Sequence, residues 1–312
     1  MTSRRRARAL TAFAALAGLI LFIYAVRQAG TAEILAGIRR VGWGLLFILF
    51  IGGARFAIRA ECWRRCIPST ALGFREAFTA FVAGDAVGTV TPLGLIASEP
   101  TKVFLTRHHL ATRESVASLA LENLVYTASV IAVVATGMAV MLLAVPIPPA
   151  WRTALLAGLA GIAAAVVLGV VVLRGGLGGL LPRSGWRDKL SALRREVAHF
   201  GAGVFVGVFA LDLVYHALAV IEVYVTLEWL LGDGSPTLAQ AVVFEALNRV
   251  LTVAFKFVPF RVGIDELATG GLAPMLGVTV AAGVTLAVVR KVRNLFWAAV
   301  GLVFVATHPA RS

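Results

Sequence analysis

Runs of about 20 predominantly apolar residues, the length an α-helix needs to cross a bilayer, recur from one end of this chain to the other. Backbone in lipid must satisfy its own hydrogen bonds, so such runs form helices. The reading is an all-α, polytopic membrane protein, a single integral membrane domain over residues 1–312. Composition agrees, since 14% of the residues are charged where soluble domains carry roughly a quarter. That excludes a soluble globular enzyme, a disordered chain and a disulfide scaffold. Cys62 and Cys66 have no Cys or His partner nearby in sequence and suggest neither a zinc site nor a disulfide. The longest polar stretch, Arg174 to His199, is too short for an appended soluble domain.

Six full spans follow from the pattern: Leu10 to Val26, Val41 to about Ile58, Ser115 to Val145, Trp151 to Leu173, Gly203 to Leu231, and Val278 to Thr307. Two further apolar segments, Phe74 to Arg107 and Thr237 to Gly277, break in the middle. The breaks are Thr91-Pro92-Leu93-Gly94 and Pro259-Phe260-Arg261-Val262-Gly263. Interrupted backbone at membrane depth survives only inside protein or around a water-filled cavity. Both segments are therefore expected to be re-entrant helical hairpins, hinged at Pro92 and Gly94 and at Pro259 and Gly263. Their second arms should begin near Leu95 and Ile264, presenting helix N-termini to an anion.

The excess of cations, 29 Lys and Arg against 16 acids, gives a formal charge of +13. In a soluble protein this would suggest nucleic acid. Here the cations lie inside or beside apolar runs, so no nucleic-acid partner is expected. By the positive-inside rule, Arg4 to Arg8, then Arg59, Arg64 and Arg65, then Lys102, Arg107 and Arg113, then the six cations of Arg174–Arg195 mark cytoplasmic segments. Both termini are expected to be cytoplasmic in a plasma (inner) membrane, with the hairpins entering from opposite sides.

The hairpins also align. Pro92 precedes Glu99 by seven residues and Pro259 precedes Glu266 by seven, an offset of 167. The same offset carries the second span into Gly203–Leu231. The expectation is an inverted repeat, residues 10–145 followed by 151–307, a plan that in secondary transporters places a binding site at the midplane.

Charges inside apolar helices sharpen that expectation, because one at mid-bilayer costs about 2.5–3.5 kcal/mol on insertion scales. The span 203–231 contains Asp212, His216, Glu222 and Glu228; Ser115–Val145 contains Glu122 and Asn123; the last span contains Arg290, Lys291, Arg293 and Asn294. The second hairpin adds Glu245, Asn248, Arg249, Lys256, Arg261, Asp265 and Glu266. Glu228, Lys291 and Glu245 read as snorkelling or interfacial residues. The others suit a polar cavity of both signs, since Arg forks take phosphate oxygens bidentately. Glu99, Lys102, Arg261, Asp265, Glu266 and Arg290 are the candidate lining, with Arg249, Arg293 and Lys256 supporting phosphate. Asp212, Glu122 and Glu222 would pair with them or carry protons. No metal or cofactor is expected.

Three short motifs, Thr91-Pro92 followed by Glu99-Pro100-Thr101-Lys102, Leu121-Glu122-Asn123, and Pro259-Phe260-Arg261-Val262-Gly263-Ile264-Asp265-Glu266, carry a resemblance. The chain resembles the flippase-like family that includes the transmembrane portion of lysylphosphatidylglycerol synthases, over about residues 10 to 307. It departs from that family's Gly-Glu-x-x-Arg pattern at Ser98 and Lys102, and from Glu-Arg-x-x-Asp at Asn123 and Tyr126. The resemblance implies a lipid flippase or lipid-headgroup transporter without aminoacyl-transfer activity. It implies membrane lipid as the cargo, and leaves room for lipid-biosynthesis enzymes and further copies of the chain as partners. The alternatives are a transporter of a small anionic solute and an accessory subunit of a lipid-biosynthesis pathway. An intramembrane enzyme is disfavoured: neither H-E-x-x-H nor G-x-S-x-G occurs, and Val82 replaces the glycine of a paired-aspartate motif around Asp85.

Overall fold

The structure, a computed structural model, describes residues 23–24, 27, 30–69, 71–91, 94–174, 201–232, 234–255 and 258–307. The expected span Leu10–Val26 lies almost wholly outside these residues, and Pro92 and Lys256 lie outside them too. Ten α-helices are described: α1 Thr31–Val41, α2 Gly44–Arg65, α3 Phe74–Val90, α4 Gly94–Thr106, α5 Thr112–Ala144, α6 Pro149–Arg174, α7 Gly201–Leu231, α8 Leu238–Ala254, α9 Ile264–Leu272 and α10 Val280–Thr307. Two 3₁₀ turns, Pro259–Arg261 and Ala273–Leu276, flank α9.

α5, α6 and α7 are long and apolar enough to cross a membrane, and α1 with α2, bent by 74°, make a fourth candidate if taken as one span. α10, with 28 residues, is about 42 Å long at 1.5 Å per residue. Arg290, Lys291 and Arg293 lower its apolarity. The expected span Val41 to about Ile58 is instead the helix Gly44–Arg65, which opens after α1 has ended at Val41 and continues past the apolar run through Arg59 to Arg65.

Both interrupted segments fold as two helical arms around a break. The longest arms, α3 and α8, have 17 residues each, about 26 Å, which is short of the roughly 30 Å hydrocarbon core. At its start α8 is closed by a capping box: Gln240 N–H donates to Thr237 Oγ1, and the Thr237 N–H donates to Gln240 Oε1. The second break is a tight turn in which Phe260 and Arg261 take positive φ of 52° and 46°. Such backbone is costly for residues with a side chain. Gly263 follows at φ 80°, and its N–H donates to Glu266 Oε2 at 2.8 Å, so α9 starts at Ile264 with its own acid reaching back over its first turn.

Small residues let the helices approach closely, as is usual where apolar packing has no water to exclude. A Cβ built on Gly301 of α10 would stand 2.4 Å from the Val82 carbonyl oxygen and 2.5 Å from Ala86 Cβ of α3. Gly301→Ala is therefore expected to lower stability by about 1–3 kcal/mol through overpacking. Gly161→Ala on α6, where an added Cβ meets nothing within 4 Å, should leave it unchanged. Unfolding midpoints of the two purified variants in detergent make the comparison.

The apolar core is split into layers. One cluster gathers Ile48, Val223, Leu227, Phe244 and Leu286. Another gathers Trp63, Phe81, Leu105 and Leu119, with Phe304 and Val305 packed against it. Trp63 is fully buried and donates its indole N–H to Ser118 Oγ at 3.0 Å. Between the two clusters, α2 places Arg55 and Arg59, and α10 places Arg290 and Arg293. Arg55 lies about 16 Å into α2 and Arg290 about 15 Å into α10. A polar layer at mid-helix is thus framed by apolar layers on both sides.

Candidate functional site

A cavity of about 360 Å³ opens in that polar layer, within the range of roughly 300–1,000 Å³ found for small-molecule sites. Seven cations among the described residues line it. Arg55 and Arg59 come from α2, Lys102 from α4, Arg249 from α8, Arg261 from the second break, and Arg290 and Arg293 from α10. Three acids share the lining: Asp85 of α3, Glu99 of α4 and Asp265 of α9.

Behind the cations stand four carboxylates, each no more than 1% exposed. Glu222 of α7 takes Arg55 on Oε2 at 3.2 Å and Arg293 on the same oxygen. Glu245 of α8 takes Arg249 Nε on Oε1 at 2.5 Å and Arg290 Nη2 on Oε2 at 3.0 Å. Each of these carboxylates is shared by two guanidiniums, so each triad retains one positive charge. The third group is reversed. Arg59 meets Glu122 of α5 at 2.7 Å and Asp212 of α7 at 3.5 Å, one guanidinium between two carboxylates. Buried ions of this kind persist only when paired.

Lys102 Nζ lies 2.9 Å from Glu99 Oε1, and Arg261 Nε lies 2.9 Å from Asp265 Oδ1. Asp85 differs from both: its side chain is exposed to the cavity and makes no ion pair or hydrogen bond among the described residues. Aromatic faces hold the cations from the side, as cation–π contacts do. Arg59 sits 3.6 Å over Tyr126, Arg55 sits 4.4 Å over Tyr215, and Lys102 Nζ is 3.9 Å from the Phe81 centroid. The Tyr126 hydroxyl accepts from Arg249 Nη1 at 3.0 Å. Cations thus reach the wall from α2, α4, α8, α10 and the second break, and acids from α3, α4 and α9.

Of the residues singled out from sequence, Glu99, Lys102, Arg249, Arg261, Asp265, Arg290 and Arg293 reach the cavity wall. Glu122, Asp212 and Glu222 do not; they stand one layer back, in contact with arginines that do. Glu266 does not line it either. It is fully buried, bonded to the Gly263 N–H and to Lys291 Nζ, and so braces the second break against α10. Gly94 and Gly263 open the second arms, Pro259 opens the 3₁₀ turn, and Lys256 and Pro92 fall outside the described residues.

Three readings are corrected. Arg59, expected beyond the end of the second span, lies within α2 and is 7% exposed. α2 extends past the point where the apolar run stops, and Phe81 and Tyr126 provide the surface on which Arg59 lies. Glu245, read as interfacial, is 1% exposed and joins α8 to α10. Lys291, read as snorkelling, pairs with buried Glu266. The wall also includes Arg55 and Tyr215, absent from the candidate residues, and Tyr126, noted above only as a departure from the family's motif. Arg55 and Arg59 are four apart and so share a face of α2, a signal present in the sequence.

Among the described residues no group of His, Cys, Asp and Glu has the arrangement to hold a metal ion, and what this surface can do is bind charge reversibly. No curated protein and no solved structure matches the chain. A family model described as the lysylphosphatidylglycerol synthase TM region matches residues 9–301, and this integral membrane chain belongs to that family.

Proposed function

We propose that the protein moves a polar or anionic lipid between leaflets, its cavity receiving the headgroup while the acyl chains stay in the bilayer. The observation that carries this reading is the pair of triads, Arg55–Glu222–Arg293 and Arg249–Glu245–Arg290, each with one positive charge to spare and each with arginines on the cavity wall. A phosphate group placed between them would be met by guanidinium forks, whose planar donors match phosphate oxygens. Asp85, exposed to the same cavity, would take a positive or hydroxyl-bearing part of the same headgroup. The family supports a lipid rather than a soluble anion as the carrier of that phosphate.

In this reading α3–α4 and α8–α9 are re-entrant hairpins entering from opposite faces. The order long helix, broken hairpin, long helix occurs in α2 to α5 and again in α7 to α10, which supports an inverted repeat. Both termini would face the cytoplasm from the plasma membrane, and no aminoacyl transfer is attributed to this region.

The test is the full chain in vesicles containing a fluorescent phosphatidylglycerol, with a membrane-impermeant quencher reading the outer leaflet. Faster equilibration than in protein-free vesicles is expected. Vesicles that leave the lipid unmoved but take up inorganic phosphate would replace the lipid reading with a soluble-anion one.

A further inference from the structure

We infer that Glu122, Arg59 and Asp212 form a proton-binding site, set behind the cavity wall, whose occupancy is linked to anion binding in the cavity. The inference rests on the proposed function for the identity of the anion, but the proton site itself stands on separate geometry.

Glu122 and Asp212 are fully buried, on α5 and α7, and both face the single guanidinium of Arg59. Two carboxylates around one cation leave a net negative charge away from solvent, and like charges that share one partner do not both ionise readily. Their hydrogen bonding is also incomplete. Both oxygens of Glu122 and Oδ2 of Asp212 are buried without a hydrogen-bond partner, which is costly for a carboxylate. One proton from cavity water, bound to a carboxylate oxygen, makes the group neutral and supplies a donor.

Among the described residues no second cation is paired with either carboxylate. Cys62 of α2 faces Asp212 Oδ1 at 3.7 Å, and Cys66 lies at the end of the same helix. From α4, Lys102 and Glu99 act on Glu122 through space with opposite signs. His216 of α7 is hydrogen-bonded to Ser129 Oγ at 3.1 Å and stacked on Tyr126 of α5, whose hydroxyl faces Arg249 of α8.

Arg59 is what links the two sites, because it lines the cavity and is also the cation that both carboxylates share. An anion that draws Arg59 toward the cavity leaves the carboxylates with less positive charge, so they hold protons more tightly. By linkage, protonation of the pair frees Arg59 for the anion to the same extent. The carboxylates then titrate as a coupled unit.

Infrared difference spectroscopy of the full chain in nanodiscs, titrated with pH, tests this without requiring transport. The expected result is a carbonyl band of a protonated carboxyl that is lost in Glu122→Gln and in Asp212→Asn, and retained in Asp212→Glu and in Glu228→Gln, a change at an exposed residue outside the cavity. Adding inorganic phosphate should raise the band's titration midpoint by about one pH unit, a tenfold gain in proton affinity. The parent spectrum alone decides if a variant does not fold: absence of a pH-dependent protonated-carboxyl band overturns the site. A band that survives in both neutralising variants overturns the assignment, and a midpoint unmoved by phosphate overturns the linkage. Vesicles that fail to move lipid while the band behaves as described would count against the transport reading alone.

Discussion

Glu222→Ala is expected to destabilise the protein by about 3–5 kcal/mol, the cost of breaking a buried ion pair from one side. The carboxylate is 1% exposed and takes guanidiniums from α2 and α10 on a single oxygen. Its removal leaves Arg55 and Arg293 side by side between apolar layers, without a counter-charge. Glu228, six residues on along α7, is exposed, and Glu228→Ala should change stability by no more than about 0.5 kcal/mol. Glu222→Gln keeps hydrogen-bonding capacity without charge and should fall between the two. Thermal unfolding of the three purified variants in the same detergent is the measurement. Equal midpoints for Glu222→Ala and Glu228→Ala would mean that Glu222 does not tie α7 to its neighbours.

The same arrangement explains what could be read from the sequence. Glycine marks the second break because its effect is local: Gly263 takes a φ that residues with a side chain adopt at a cost, and α9 begins directly after it. The long apolar runs marked α5, α6 and α7 for an equally local reason, since length and hydropathy are sums over neighbours. Charge placement is not local. Arg59 at the end of an apolar run looks like a topology signal, and only the packing of α5 and α7 shows Glu122 and Asp212 waiting for it. Glu245 and Lys291 follow the same rule, because a linear pattern cannot tell a side chain that reaches the interface from one that meets a partner on another helix. The equal spacing of Glu99 and Glu266 from their prolines hid a difference in role. Glu99 pairs with Lys102 at the cavity wall, whereas Glu266 caps a turn and anchors it to α10.

The ratio of two guanidiniums to one carboxylate also allows binding to be separated from folding. Arg290→Ala leaves Arg249 and Glu245 as a one-to-one pair, with no buried charge stranded. Arg55→Ala does the same for Arg293 and Glu222. Each variant should therefore fold, losing mainly the packing of one side chain, while its triad falls from one positive charge to none. A hydrogen bond to a charged group contributes about 1.5–3 kcal/mol, and 1.4 kcal/mol is about tenfold in an equilibrium constant. Movement of fluorescent phosphatidylglycerol at subsaturating content is thus expected to slow about tenfold or more in either single variant, and further in the double variant. Arg290→Lys keeps the charge but loses the planar fork and should lie between parent and Arg290→Ala. Arg290→Ala protein that unfolds at the parent's midpoint yet moves the lipid at the parent's rate would remove the triads from the transport path. The contrast with Glu222 is the sharper result: deleting the shared acid should cost the fold, and deleting one of its arginines should cost the anion.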